Sequence, residues 1–302
     1  MKGKSFGEYT EDFYREHKDM LLRSYPGLAP RRLKQELESF CLHYQINVDD
    51  LFESRFIPTL NSPISRFFEY LKRGYPLEYI RLRSYFYKSE FFVTPDVLIP
   101  RDETEILVEC TVSEMKEWIK KTDENLRICD IGTGSGAIVL SAVQEIQRPV
   151  NAIATDISKK ALIVAKRNYY NLRFKILKES SVHFIQTDRL KDIDEKFHVI
   201  VSNPPYIMES IDRNQVHDQV DQYEPHLALY LNDETYFEWF EKLFAQAYDS
   251  LLEEGVFLME GHEDHLQKLA DIAKKIGFTN VEVKEDYTSR DRFLIARKKW
   301  IN

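Results

Sequence analysis

Apolar and polar positions change their rhythm twice along the chain. In residues 1–75 apolar side chains recur at spacings of three and four: Leu33, Leu37, Phe40, Cys41 and Tyr44, then Ile64, Phe67, Phe68 and Leu71. That period predicts amphipathic helices packed on one another. Pro26, Gly27, Pro30 and Pro58 punctuate them, and Asn47–Asp50 reads as a helix start. Between Tyr75 and Pro100 the run SYFYKSEFFVTP, rich in aromatic and β-branched residues around a polar break at Lys88–Glu90, predicts a β-hairpin.

From Arg101 onward short apolar runs at 126–132, 151–156, 182–188, 197–203 and 255–261 mostly alternate with helical stretches at 103–121, 136–147, 158–171, 236–252 and 263–276. Repeated strand–helix–strand units imply a parallel sheet covered on both faces. The runs 280–286 and 291–298, joined by a tight turn, close the chain as an antiparallel pair. The expectation is a doubly wound α/β fold over 101–302, a small helical domain over 1–75, and a β-hairpin linker over 76–100.

Charge refines this division. The 302 residues carry 42 Lys and Arg against 50 Asp and Glu, a net of −8. Residues 1–75 hold 12 cations and 11 anions, so the excess acid lies beyond them. An acidic chain is a poor match for gripping duplex DNA by its phosphates. Cys41, Cys110 and Cys129 follow no metal-binding or disulfide spacing, and no apolar run is long enough to span a membrane. The N-terminal cations precede no apolar stretch. A cytoplasmic protein without a membrane segment is expected.

The first α/β strand runs into Asp130-Ile-Gly132-Thr133-Gly134-Ser135-Gly136 and then an apolar helix. Glycines there permit a tight turn and a close approach of backbone to ligand. The next strand ends in Asp156, twenty residues past Gly136, where a carboxylate can accept both hydroxyls of a ribose. A dinucleotide fingerprint would place its third glycine one residue later. The G-x-G-x-G spacing resembles the S-adenosylmethionine loop of class I methyltransferases, with a nicotinamide dinucleotide or a ligand-free turn as alternatives. Asp188 ends the third strand at the same rim.

The fourth strand ends in Ser202-Asn203-Pro204-Pro205-Tyr206. Two prolines remove two N–H donors and leave the carbonyls of Asn203 and Pro204 as rigid acceptors beside the Asn203 side chain. Tyr206 can cover a planar group. Such a slot suits a planar substrate bearing an NH2 group. Asn-Pro-Pro-Tyr is shared by enzymes that methylate nitrogen conjugated to a π-system, N6-adenine methyltransferases and release-factor glutamine methyltransferases among them.

Over nearly its full length the chain resembles the second of these families, the release-factor glutamine methyltransferases. The likeness runs through Pro76–Ile80, Phe91–Val93, Leu98–Arg101, Thr104-Glu105, the glycine loop, Asn203–Tyr206, Tyr223–Pro225 with Leu227–Leu229, and Arg290–Arg292. It implies a Rossmann-like class I methyltransferase sheet. The implied reaction is methyl transfer from S-adenosyl-L-methionine to the Gln side-chain amide in the Gly-Gly-Gln motif of class 1 release factors. Gly132, Thr133, Gly134, Ser135, Gly136, Asp156, Asp188, Arg189 and Asn203 then fall at the cofactor. Asn203, Pro204, Pro205 and Tyr206 fall at the glutamine, with Asn203, Pro204 and Tyr206 catalytic. Arg189 stands where some members have an aromatic residue, Asp102 replaces a proline after Arg101, and Tyr230–Glu234 replaces a glycine-rich segment.

Competing signals are weaker. Glu260-Gly261-His262-Glu263-Asp264-His265 resembles a metal cluster but lacks the H-E-x-x-H spacing, so no metal is expected. An N6-adenine nucleic-acid methyltransferase is the alternative enzyme, but it needs a sizeable basic target-recognition region that the sequence does not display. The six cations against two Glu in residues 66–88 are read as a solvated face or a docking patch that continues residues 1–75 toward the partner.

Overall fold

The computed structural model describes residues 5–47 and 62–299, which fall into two compact units. One contains the chain up to Arg83 together with His217–Tyr223; the other contains Ser84–Val216 and Glu224 onward. The hairpin thus clusters with the larger unit instead of forming a separate linker. Most of the expected helix start at 47–50, and Pro58, lie outside the described residues.

In the helical unit, helices Phe6–Ser24, Pro30–His43, Pro63–Lys72 and Leu77–Arg81 enclose their own core. Ser5 opens the first with a capping box to Glu8, while Pro30 and Pro63 start the next two where a missing N–H costs nothing. Leu33, Leu37, Phe40, Cys41, Ile64, Phe67, Phe68 and Leu71 are all buried, as their period requires; Tyr44 is exposed just past its helix. The helix Asp218–Tyr223 belongs here too. Gln219 Nε2 donates to the Gly74 carbonyl (2.7 Å) and the Tyr223 hydroxyl to that of Arg73 (2.5 Å). The basic stretch is partly neutralised: Arg81 bonds Glu36 (2.9 Å) and Glu78 (3.1 Å), and Lys72 pairs with Glu69 (2.5 Å).

The larger unit begins with the hairpin strands β1 (Arg83–Phe86) and β2 (Ser89–Phe92). Its main sheet contains β3 (Leu126–Ile131), β4 (Val150–Asp156), β5 (Ser181–Gln186) and β6 (Phe197–Ser202). A two-strand parallel pair, β7 (Ile207–Met208) and β8 (Tyr230–Leu231), lies outside it. The sheet is completed by β9 (Leu251–Glu260), β10 (Thr279–Glu285) and β11 (Asp291–Arg297), in the order β10-β11-β9-β6-β3-β4-β5. β5, β4, β3, β6 and β9 are parallel, and the expected β10–β11 antiparallel pair forms one edge, with β11 inserted beside β9.

Successive side chains of a strand face opposite ways. Ile128, Val199, Val201 and Leu258 join a core with helices Thr104–Lys121, Ala137–Gln144 and Lys159–Leu172. Cys129, Ile200, Phe257 and Met259 join the opposite core with helices Tyr236–Ser250 and Leu266–Ile276. Both faces are therefore dry, which is why these strands read as apolar runs instead of alternating ones.

The hairpin is held by polar clasps. Asn168 is 1% exposed: its amide oxygen accepts from Phe92 N (2.7 Å), and its amide nitrogen donates to the carbonyls of Phe92 (2.9 Å) and Ser135 (2.8 Å). Tyr87 N donates to Glu105 (2.6 Å), and Ser89 donates to Gln144 (3.0 Å). One helix side chain thereby ties the hairpin to the glycine loop. Asn168→Ala leaves three buried backbone groups unpaired and is expected to cost about 3 kcal/mol, from roughly 1 kcal/mol per lost bond and added desolvation. Urea unfolding measures it; a loss under half of that would show that other groups carry the clasp.

Candidate active site

In an open parallel sheet the ligand crevice lies beyond the carboxyl ends of the strands, where strand order reverses. Here that point is β3, flanked by β4 and β6. Ile131 is opposite Thr155 on one side and Ser202 on the other, so the next residues of the three strands, Gly132, Asp156 and Asn203, emerge side by side. They line a cavity of about 230 Å³.

The glycine loop is shaped by positive φ angles: 72° at Gly132, 54° at Gly134 and 80° at Gly136. A Cβ on Gly132 or Gly134 would meet no protein atom within 4 Å, whereas one on Gly136 would press on Leu140 (3.2 Å) and Ala165 (3.4 Å). The first two glycines therefore leave room for a ligand. Gly136 does not line the cavity and instead caps the helix Ala137–Gln144 where side chains crowd.

Asp130 and Asp156 brace the loop. Asp130 is fully buried and accepts from Thr133 Oγ1 (2.7 Å) and Val139 N (3.3 Å). Burial pushes its carboxyl up to about 7 against those two bonds. Asp156 accepts from Gly134 N (2.9 Å) and Ser158 N (2.8 Å); burial raises it too, opposed by these N–H groups. The Asp156 carboxylate lines the cavity, where it can accept a ribose hydroxyl.

Farther along the wall stand Asp188, Arg189 and Trp239. Arg189 has a φ of 56°, pairs with Asp188 (3.0 Å) and lies over the Trp239 ring at 4.9 Å, while its buried Nε has no partner. An orphaned donor at a cavity wall, beside a carboxylate and an indole, fits the planar heterocycle of a nucleoside. These groups suit S-adenosylmethionine.

On the other side, Asn203, Pro204 and Pro205 line the cavity with Thr104 and Pro100. The Thr104 hydroxyl donates to Glu260 Oε2 (2.6 Å) and accepts from Asn203 Nδ2 (3.3 Å). Because its one proton is committed to Glu260, Thr104 can only accept from Asn203, which settles the amide orientation and leaves Asn203 Oδ1 as an acceptor. Glu260 Oε1 accepts from the Tyr206 hydroxyl (3.0 Å). Burial raises the Glu260 carboxyl above its ordinary range, while the two hydroxyls and the Arg292 charge pull it down. Tyr206 does not line the cavity; its hydroxyl braces Glu260, and its carbonyl accepts from Tyr236 (2.9 Å).

Glu224, 4% exposed, receives Ile99 N (3.0 Å) and Arg101 (2.5 Å), fixing Pro100 at the cavity. Arg101 is held by Glu224 with Asp102 following it in the chain. Sequence reasoning missed Trp239 and the roles of Glu260 and Thr104. A Trp in an amphipathic helix has no signal until packing selects its direction. Asp212 joins His262 and His265, with ligand-capable atoms within 4.8 Å of one another; a 2.9 Å hydrogen bond from His265 to Asp212 ties the loop after β7 to the turn after β9.

Two outcomes follow from the carboxylates. Asp156→Ala is expected to weaken S-adenosylmethionine binding by roughly 10- to 150-fold, the equivalent of about 1.5–3 kcal/mol for charge-assisted bonds, as read by calorimetry. Asp130 holds its proton more tightly folded than unfolded, so its contribution is complete below about pH 4 and lost as pH rises through about 7. In denaturant titrations, Asp130→Asn should therefore improve relative to the parent chain between pH 5 and 8.

The comparisons agree with this geometry. A family model described as the methyltransferase small domain matches residues 104–228. Three curated relatives carry the name release factor glutamine methyltransferase. The one from Flavobacterium psychrophilum is 34% identical over 74% of this chain and 76% of its own. That from Leptospira interrogans is 36% identical, over 74% and 75% respectively. That from Clostridium acetobutylicum is 31% identical, over 92% and 97%. Among solved structures, the hMettl16 catalytic domain in complex with MAT2A 3′UTR hairpin 6 shares the fold at 14% identity and a TM-score of 0.54, over 92% of this chain and 94% of that one. With a switch-point cavity built for S-adenosylmethionine and relatives of this similarity, the chain belongs to the release factor glutamine methyltransferase family.

Proposed function

We propose that this enzyme methylates the side-chain amide nitrogen of the Gln in the Gly-Gly-Gln motif of class 1 peptide release factors. The observation that carries the reading is the chain Glu260–Thr104–Asn203. It leaves an oriented amide oxygen at the cavity next to a segment without N–H donors. When bound, S-adenosylmethionine supplies an electrophilic methyl group on a sulfonium.

A primary amide nitrogen is a weak nucleophile because its lone pair is delocalised into the carbonyl. Asn203 Oδ1 and the Pro204 carbonyl accept its two N–H bonds and let the nitrogen pyramidalise toward the methyl. Holding the two reactants in line supplies up to roughly 7–11 kcal/mol for well-oriented partners. As positive charge grows on nitrogen, the two carbonyl dipoles stabilise it more than they stabilise the resting amide. Leu227, Ala228, Tyr230 and Leu231 line the cavity and limit water around the reacting atoms. The product proton leaves to water.

The helical unit is proposed to help select one Gln within a folded partner, since a slot for an amide cannot distinguish it from other exposed Gln side chains. Deleting residues 1–75 would also remove the carbonyl partners of Gln219 and Tyr223, so surface substitution is the cleaner test of that role.

Incubation with labelled S-adenosylmethionine and a release factor, followed by mass mapping, tests the reading. One methyl on the Gly-Gly-Gln glutamine is expected; label on adenine of an added nucleic acid, and none on protein, would overturn it. Asn203→Ala should lower turnover at least 100-fold while cofactor affinity stays within a few fold. Thr104→Val, which frees the Asn203 amide to turn over, should lower kcat roughly tenfold, the equivalent of one hydrogen bond at about 1.4 kcal/mol.

A further inference from the structure

The segment 157–178 carries Lys159, Lys160, Lys166, Arg167, Arg173, Lys175 and Lys178 and no acidic residue. The other 280 residues carry 35 Lys and Arg against 50 Asp and Glu. A wholly cationic run on this acidic chain therefore sits on one helix, Lys159–Leu172, and the turn that follows it.

Its inward face is spent on packing: Ala161, Leu162, Val164, Ala165 and Leu172 are buried around Asn168. Its outward face keeps large apolar groups in water. Ile163 is 62% exposed, Tyr170 83% and Phe174 81%; Ile163 and Tyr170, seven apart, share one side of the helix, and Phe174 follows in the turn Arg173–Lys175. Arg167 lies over the Phe92 ring at 3.6 Å, and the other six cations divide into two sets. Arg173 donates to the carbonyls of Ile176, Leu177 and Lys178, Lys175 to Lys88 and Ser89, and Lys160 pairs with Asp96. Lys159, Lys166 and Lys178 are exposed and, among the described residues, have no carboxylate within ion-pair distance.

We infer that this outward face, from Lys159 to Lys178, is a docking surface for an acidic face of the protein substrate. The inference rests on the proposed reading and names where the partner is held. An apolar row of Ile163, Tyr170 and Phe174 bordered by unpaired cations matches the anatomy of a protein interface, with an aromatic centre and a charged rim. The rim charges complement acid and speed encounter. Ile163 favours protein over RNA, because an aliphatic side chain neither stacks on a base nor reaches a phosphate. The surface also begins at the site: Ile157, Ser158 and Ala161, at the start of the helix, line the cavity. The aromatic pair lies nine and thirteen residues past Ala161, roughly 14–20 Å along at helical rise, so the surface runs outward from the cofactor end of the cavity.

Two double variants of the full chain test this, Tyr170→Ser with Phe174→Ser, and Lys166→Glu with Lys178→Glu. All four side chains are exposed and lie outside the catalytic and cofactor groups, so S-adenosylmethionine affinity should be unchanged. The readouts are kcat/KM on an intact release factor and on a short Gly-Gly-Gln peptide, and equilibrium binding of fluorescently labelled release factor. Each double variant is expected to lose at least tenfold in binding and in kcat/KM on the intact factor, through KM, with the peptide rate unchanged. The charge variant should also lose most of the salt dependence of binding. Unchanged binding of the intact factor overturns the inference, as does an equal loss on factor and peptide. Loss of binding to a labelled single-stranded oligoribonucleotide, with release-factor binding intact, overturns it in favour of RNA. Should the parent chain methylate no Gln, the proposed reaction fails by that result alone, while the binding arm still decides the surface.

Discussion

The parallel pairing of β3 with β4 and β6 is the constraint on which the site depends. Because Ile131 is in register with Thr155 and Ser202, the three chain exits lie within a strand spacing of one another. A shift of one residue in either pairing would turn the core-facing side chains of that strand to the wrong face, so two dry cores hold the register. Gly132 and Thr133 reinforce it, both donating to the Thr155 carbonyl (2.9 Å each). Glycine loop, ribose carboxylate and amide-holding segment are consequences of that one alignment.

Buried carboxylates then position the parts that the sheet does not reach. Asp130 and Asp156 hold the glycine loop, Glu260 orients Thr104 and through it Asn203, and Glu224 anchors the segment around Pro100. Each costs desolvation, visible in the raised carboxyls of Asp130, Asp156 and Glu260. The hydroxyl and N–H donors aimed at them offset that cost, and the result is a set of fixed acceptors and dipoles. Such preorganisation is what methyl transfer to an amide demands, since the nitrogen has little intrinsic reactivity.

The surface divides by physical type in a related way. In 66–88 half of the six cations are drawn into ion pairs, Lys72 with Glu69, Arg81 with Glu36 and Glu78, and Lys88 with Glu145. The run 157–178 keeps three lysines unpaired because its helix turns them outward with no acid of its own to meet them. Spacing along a chain shows where charge is concentrated; only folding shows which charges are spent.

By itself the sequence determined the alternation of dry strands and amphipathic helices, the antiparallel closing pair, and the three strand ends that carry Gly132–Gly136, Asp156 and Asn203–Pro205. Those are local patterns, set by hydrophobic period and by the backbone limits of glycine and proline. The helical stripe from Leu33 to Cys41 was equally legible, because a helix that buries one face must repeat at 3.6 residues. Tertiary structure decided the rest. It gave Gly136 a packing role, set the Tyr206 hydroxyl on Glu260, brought Trp239 to Arg189, and placed 217–223 with the helical unit. These depend on residues between 29 and 156 positions apart meeting across a fold, as Gly136 meets Ala165 and Thr104 meets Glu260. The direction of a side chain is set by what packs around it, which no spacing rule along one chain encodes.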